Sequence, residues 1–278
     1  MKKLISVIIP VYNEQTAISA CLSSLQSLQG PSPKSVEIIV VDDGSTDQTV
    51  ELVGKFKVTL LKQNHQGPGA ARNLGAKKAG GDILVFVDAD MTFAPDFVEK
   101  LTAPIREGKT QGVFNTDEFV SNYQNVWSHC WNLNQNLTSN RRMNPKSIHD
   151  VRDFRAITKQ EFAKVGGFSL TGYTDSRTLV EKLGYLPTPV AGAVSYHANP
   201  ASLSEVFFQA RWIGRRPTRF GLVGKLLNLV RYSLPVSVIV GMTKEILYQR
   251  AGFLLFKVVY DLGFFSGIIT SLIGASAK

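Results

Sequence analysis

From residue 4 to about residue 108 the chain alternates short β-branched apolar runs with longer stretches whose apolar positions recur at helical spacing. Strands are predicted at 4–10 (LISVIIP), 36–41 (VEIIVV), 57–61 (KVTLL) and 82–88 (DILVFVD). Helices are predicted at about 15–28, 46–55, 68–79 and 94–107. Apolar strands separated by helices are the pattern of βαβ units around a parallel sheet. In open sheets of that kind, ligands gather beyond the carboxyl ends of the strands. The residues at those ends are polar: Tyr12-Asn13-Glu14, Asp42-Asp43-Gly44 and Asp88-Ala89-Asp90.

The pattern then changes. Residues 111–150 are rich in Asn and aromatic side chains and show no clear period, which predicts some helix and a mobile loop without definable ends. Order returns over 151–186, and 190–197 reads as a further strand. Ser202-Leu203-Ser204-Glu205 is a capping box, with Ser202 at the N-cap and Glu205 at N3, opening a helix through about Arg216. Past Pro217, apolar stretches are broken by single charges. The uncharged runs 232–243 and 262–277 both fall short of the roughly 20 apolar residues that a membrane span needs. Leu222, Leu226, Leu229 and Val230 share one helical face, with Lys225 and Arg231 elsewhere, as on a helix lying in a membrane interface. The chain is therefore expected to divide into a domain over 1–216 and a basic, apolar helical segment over 217–278.

Charge sharpens that division. The 278 residues carry a formal net charge of +9. Residues 1–200 hold 21 Lys and Arg against 19 Asp and Glu, whereas 201–278 hold 10 against 3. A basic segment can serve nucleic acid or an anionic membrane. Nucleic-acid binding calls for basic residues interleaved with stacking aromatics, and here they alternate with aliphatic runs, so a lipid surface is expected and no nucleic acid. With 44% hydrophobic residues and two cysteines, the chain is neither a disordered tail nor a disulfide scaffold. Cys21 and Cys130 form no paired pattern, which fits a reducing cytoplasmic setting. The start MKKLISVIIPVYNE meets no small-residue cleavage site and reads as a buried strand rather than a secretory signal.

Acids at several strand ends suit a cation bridging a phosphorylated ligand. Mg²⁺ is typically held by one or two carboxylates together with substrate phosphates. Asp88 and Asp90 would project to one side if their strand stayed extended. Gly44, Ser45 and Asp47 are explained by turn and cap chemistry, but the adjacent acids Asp42 and Asp43 are not, and a carboxylate there could meet a nucleotide base or ribose. Gly67-Pro68-Gly69 could be a plain loop or bring backbone close to a ligand, with Arg72 one turn later offering a fork for phosphate.

SVIIPVYNE (6–14), VVDDGSTDQT (40–49), NHQGPGAARNLG (64–75) and DILVFVDAD (82–90) resemble, in content and order, the family 2 glycosyltransferases. VGGFSLTGYTD (165–175) is similar to that family's acceptor-side segment and extends the match to about residue 215. The resemblance implies an α/β fold of the GT-A, nucleotide-sugar-binding type. It implies that Pro10, Tyr12 and Glu14 border the nucleotide, that Asp42 contacts the base, and that Asp88 and Asp90 are the Asp-x-Asp, with Asp90 the direct ligand of Mg²⁺ or Mn²⁺. His197 matches a position where some GT-A enzymes place a further metal or phosphate ligand. Asp175 matches the family's catalytic base, although Thr174 stands where the family has an acid. Processive members carry Gln-x-x-Arg-Trp; Gln209, Arg211 and Trp212 are one residue short of that spacing, which argues against processive synthesis and leaves the three on the acceptor side.

The expected function is an inverting, metal-dependent transfer from a nucleotide-diphosphate sugar to a hydroxyl or phosphate acceptor, lipid-linked or part of a cell-envelope glycan, at the cytoplasmic face of the membrane. A non-catalytic membrane-associated nucleotide-sugar-binding protein is the alternative from another class. A sugar nucleotidyltransferase fits less well, because PVYNE lacks the glycine-rich phosphate loop expected after its first strand.

Overall fold

The computed structural model describes residues 4–27, 36–144, 148, 150–170, 175–218 and 220–274, without the side chains of Asp175 and Ser176. Two compact units emerge: residues 1–119 with 143–197, and residues 120–142 with 198–278.

The first unit begins with β1 (Ile5–Val11), α1 (Ile18–Gln26), β2 (Val36–Asp42), α2 (Thr49–Val53), β3 (Thr59–Lys62), α3 (Pro68–Lys78) and β4 (Ile83–Phe86). It continues through β5 (Met91–Phe93), α4 (Phe97–Arg106) and β6 (Gly112–Val120) to β7 (Ala156–Thr158), α6 (Lys159–Lys164), α7 (Asp175–Leu183) and β8 (Thr188–His197). Between β6 and β7, helix α5 (Val126–Asn134) belongs to the second unit. The strands form one mixed sheet in the order β3-β2-β1-β4-β7-β6-β8-β5. β1 pairs in parallel with β2 and β4, and β2 with β3, whereas β7 is antiparallel to β4 and β6. The expected parallel α/β core is thus present, with antiparallel strands added beyond β4.

Strand β1 shows why the apolar runs are continuous. Val7, Ile9 and Val11 pack into one cluster with Ile18, Leu22, Val53, Phe97 and Leu101 from α1, α2 and α4. Ile8 packs on the opposite side with Ala71, Ala76, Phe162 and Leu179 from α3, α6 and α7. A strand covered on both faces needs apolar residues at every position. Gly75 lets α3 lie close on the sheet, since a Cβ there would run into the Ile8 and Val41 side chains. Pro10 sits where its missing N–H costs no ladder bond: Val11 O accepts from Asp43 N on the β2 side, and pairing toward β4 has already ended at Ile8.

The second unit holds α5, α8 (Leu203–Gly214), α9 (Gly221–Arg231), α10 (Leu234–Tyr248) and α11 (Phe253–Leu272). Helix α8 groups with these helices rather than with residues 1–119 and 143–197. The reason is a crossing of α8 and α11 made of small residues. A Cβ on Gly214 would meet the Phe264 backbone, and Cβ atoms on Gly263 and Gly267 would meet the backbone of Phe207 and Arg211. The capping box forms as expected, with Ser202 Oγ accepting from Glu205 N at 3.2 Å.

The Asn-rich segment is a hydrogen-bonding scaffold rather than a formless loop. Asn199 Nδ2 donates to Asn132 Oδ1 (2.8 Å) and Ser128 O (3.1 Å), and Asn122 exchanges bonds with the Asn199 backbone at 2.7 and 3.0 Å. Asn132 Nδ2 donates in turn to Ser139 O and Arg141 O. Amide side chains stand in for backbone pairing, so no hydrophobic period is needed.

Candidate functional site

The loops beyond β1 and β2 interlock through side chains. Asn13 adopts a left-handed φ of 56°, its Oδ1 accepts from Thr46 N at 2.8 Å, and its N–H donates to Ser45 Oγ at 3.0 Å. Glu14 N donates to Thr49 Oγ1 at 2.8 Å. Asp42 Oδ1 accepts from Ser45 N at 3.1 Å. Asp43, almost fully buried, is spent inside the protein: it accepts from Gln63 Nε2 (2.7 Å), Gln66 N (2.9 Å) and Gly67 N (2.8 Å), and His65 Nδ1 lies 2.9 Å away. The second acid of the pair therefore shapes the loop before α3. It also places the His65 ring against the ring of the exposed Tyr12, with centroids 4.1 Å apart and planes tilted by 30°.

The Asp-x-Asp segment departs from an extended strand. β4 ends at Phe86, and Met91 N donates to Asp88 O at 3.2 Å, so Asp88–Met91 is a turn that sends its two carboxylates to different partners. Arg72 Nη2 donates to Asp88 Oδ1 at 2.7 Å, and Arg155 Nη1 lies 3.8 Å from Oδ2. Burial opposes ionisation of Asp88, but the charges of Arg72 and Arg155 outweigh it and hold the carboxyl at about 2. Arg72, expected to face phosphate, is in this state paired with the acid; its guanidinium also sits 5.8 Å from the Phe168 ring centroid. Asp90, 42% exposed, lies 2.6 Å from His197 Nε2. β5 pairs with β8 so that Met91 is opposite His197, and this register brings together residues 107 positions apart in the chain.

Helix α3 also fixes Gly167 and Phe168. Asn73 Nδ2 donates to Phe168 O, and Asn73 Oδ1 accepts from Phe168 N, both at 2.9 Å. Gly167 has a φ of 71°, and a Cβ there would strike Asn73 Oδ1. Asp175 opens α7; its side chain, and Thr174 entirely, lie outside the described residues. Gln209, Arg211 and Trp212 are on α8 in the second unit, with Arg216 4.4 Å over the Trp212 ring.

Three residues escaped the sequence reading. Arg155, just before β7, is nearly buried and lies within 4 Å of Asp88, Glu118 and Asp153. Glu118 comes from β6, inside the stretch without a period, and His65 from the β3–α3 loop. An arginine directly ahead of the buried stretch Ala156–Thr158 was the one visible signal.

The electrostatics favour a cation. Glu14 is pushed up to about 7, first by burial, then by Asp90, Asp88 and Asp47. Burial is the larger cause and the neighbouring carboxylates add to it, so this end of the sheet is crowded with acids. Among the described residues no three His, Cys, Asp or Glu side chains form a closed metal cage. Asp90 and His197 nevertheless offer one oxygen and one nitrogen at a single point, a fit for a divalent ion whose other ligands come from substrate and water.

The profile described as "Glycosyl transferase family 2" matches residues 6–166. Poly(ribitol-phosphate) β-N-acetylglucosaminyltransferase TarS of Staphylococcus aureus is 41% identical over 103 residues, 35% of this chain and 17% of that protein. Glycosyltransferase GlyA of Streptococcus pneumoniae is 36% identical over 124 residues, 43% of this chain and 16% of its own. The matched stretch is thus about a sixth of these relatives. S. aureus TarS 1–349 in complex with UDP superposes with a TM-score of 0.56 at 17% identity, covering 98% of this chain and 92% of that one. The mannosyltransferase PcManGT from Pyrobaculum calidifontis, solved with GDP-Man and Mn²⁺, gives 0.60 at 18% identity, covering 98% and 88%. Both have the GT-A fold seen here.

A group whose folded pKa is raised from 4.5 to about 7 binds more protons in the folded state between those values. Without metal, stability is therefore expected to fall as pH rises from about 4.5 through 7, by about 1–3 kcal/mol. Glu14→Gln should remove that loss; urea unfolding of both proteins in EDTA across this range checks it, and parallel pH profiles would refute it.

Proposed function

This chain belongs to glycosyl transferase family 2, and we propose that it moves a sugar from a nucleotide-diphosphate sugar to a hydroxyl or phosphate acceptor in one inverting displacement. The observation that carries this reading is the excess of carboxylate at the strand ends, with Asp90 beside His197 and Glu14 raised to about 7. Such a site is short of positive charge, which a donor bound with a divalent cation supplies.

In this reading the nucleotide base lies against the Tyr12–His65 surface, within reach of Asp42, and Pro10 and Glu14 border it. Asp88, held ionised by Arg72 and Arg155, is placed to accept from sugar or ribose hydroxyls or to lend charge to the metal. Asp90 and His197 hold Mg²⁺ or Mn²⁺, which when bound neutralises the leaving diphosphate. Asp175 takes the proton of the acceptor hydroxyl as it attacks the anomeric carbon from the face opposite the nucleotide. A carboxylate with an ordinary pKa of about 3.9 is a weak base toward an alcohol, so the proton moves only as the new C–O bond forms.

Exposed apolar residues of the second unit support a membrane surface as partner, and the cytoplasmic face is the location we propose. α9 exposes Leu222, Val223, Leu226, Leu227 and Val230, and α10 exposes Leu234, Ile239, Met242, Ile246 and Leu247. α9 and α10 together are long and apolar enough to span, yet they bend by 61° at their junction, which suits helices lying in an interface. α11 is also long and apolar enough to cross, with 20 residues and a mean hydropathy of 1.6. Its Lys257 and Asp261 are buried against each other at 2.6 Å, which suits a helix packed within protein. The basic surplus of residues 201–278 favours anionic headgroups. A lipid-linked or envelope-glycan acceptor would be presented at that surface. The name of TarS, which acts on poly(ribitol-phosphate), supports an envelope glycan.

Asp175→Asn is expected to bind donor normally and to lose turnover by about 10²- to 10⁴-fold; near-normal turnover would remove Asp175 from the reaction. In a flotation assay, the full chain should rise with vesicles rich in anionic lipid. Leu226→Asp combined with Val230→Asp should leave it at the bottom of the gradient with its thermal midpoint unchanged, and undiminished flotation of that variant would defeat the assignment of α9.

A further inference from the structure

Arg155 stands among three carboxylates without closing on any of them. Nη1 lies 3.8 Å from Asp88 Oδ2, and Nη2 lies 3.6 Å from Glu118 Oε2 and 3.9 Å from Asp153 Oδ2. All three separations exceed hydrogen-bond length, whereas Arg72 Nη2 closes on Asp88 Oδ1 at 2.7 Å. Other acceptors hold Arg155 in place: Nη1 donates to Phe86 O at 3.3 Å and reaches Met91 Sδ at 3.6 Å. The guanidinium is therefore fixed, with its side chain only 12% exposed, while its contacts to the acids stay open.

These openings border a cavity of about 100 Å³, which Asp88, Asp153 and Arg155 line together with Phe86, Phe154 and Phe168. One water needs ~10–15 Å³ on that measure, so the space takes part of a larger molecule. An oxygen set between a guanidinium and a carboxylate at these separations can lie about 2.8 Å from both, donating to the acid and accepting from the arginine. A hydroxyl does both; a carbonyl cannot donate and an ammonium cannot accept. Two hydroxyls on adjacent carbons would fill the Asp88 and Asp153 openings together, because one guanidinium serves both. Water could occupy the same places, but the phenylalanine part of the wall suits the C–H surface of a ring better. Charge narrows the choice further: three acids already lie within 4 Å of Arg155, and a ligand with its own carboxylate would add a fourth.

We propose that Asp153 and Arg155 are specificity-determining residues for the transferred sugar. They select an uncharged ring with free hydroxyls on adjacent carbons, one held between Asp153 and Arg155 and the other between Asp88 and Arg155. The inference rests on the nucleotide-sugar reading, in which the turn that carries Asp88 also carries Asp90 and so sets the ring next to the diphosphate.

Calorimetric titration of the full chain in Mn²⁺ compares three ligands: the nucleoside diphosphate alone, a neutral hexose donor and the corresponding uronic-acid donor. The wild type should bind the neutral donor more tightly than the uronic one. Asp153→Ala should weaken the neutral donor about 10- to 100-fold, as expected for a lost hydrogen bond to a charged group, leave the nucleoside diphosphate unchanged, and narrow the gap to the uronic donor. Arg155→Lys, which keeps the charge without the fork, should weaken the donor with the same selectivity. Unchanged nucleoside diphosphate binding also shows that each variant is folded. A neutral donor insensitive to Asp153→Ala, a nucleoside diphosphate weakened as much as the donor, or a wild-type preference for the uronic donor overturns the assignment. If neither the nucleoside diphosphate nor any donor binds the wild type, the nucleotide-sugar reading fails and this inference falls with it.

Discussion

The site is governed by the problem of keeping several carboxylates together at the end of one sheet. Glu14, Asp88, Asp90 and Glu118 come together from the end of β1, the β4–β5 turn and β6. Two unit charges 4 Å apart in surroundings of effective dielectric about 20 repel by about 4 kcal/mol, so the cluster needs cations. Arg72 pairs with Asp88, and Arg155 stands among Asp88, Glu118 and Asp153, so Asp88 ionises readily, while burial and the neighbouring acids push Glu14 up to about 7. In the reading proposed here, a divalent cation bound with the donor supplies the positive charge that these acids lack.

Helix α3 converts that electrostatic arrangement into geometry. Two consecutive side chains divide the work: Arg72 ties the helix to the Asp88 turn, and Asn73 ties it to Phe168 ahead of α7. The loop before α3 is set by Asp43, whose oxygens accept from Gln66 and Gly67. One short helix, packed on the sheet through Gly75, thereby links Asp88, the Tyr12–His65 pair and Phe168.

The parallel strands, their helices and the polar strand ends were legible in the sequence, because strands buried on both faces must be apolar throughout and ligand groups must follow them. The Asp88–Met91 turn was not, since a strand that stops two residues early leaves no mark on an apolar run. The role of residues 111–150 was hidden because Asn side chains, rather than a hydrophobic period, hold that region together. Arg155 and Glu118 were missed for a related reason: their meaning lies in β6 and β7 standing side by side in the sheet, with β8 next to β6. The membership of α8 depended on glycines that are uninformative until α11 is seen to cross them.

The central claim is that these carboxylates accept a nucleotide-diphosphate sugar together with a divalent cation. Calorimetric titration of the full chain with a panel of UDP and GDP sugars, each with Mn²⁺ and with EDTA, addresses it most directly. At least one donor should bind about tenfold or more tightly with Mn²⁺, a difference of about 1.4 kcal/mol, and Asp90→Ala should abolish that gain. Binding of equal strength in both conditions, or no binding by any donor, would contradict the account.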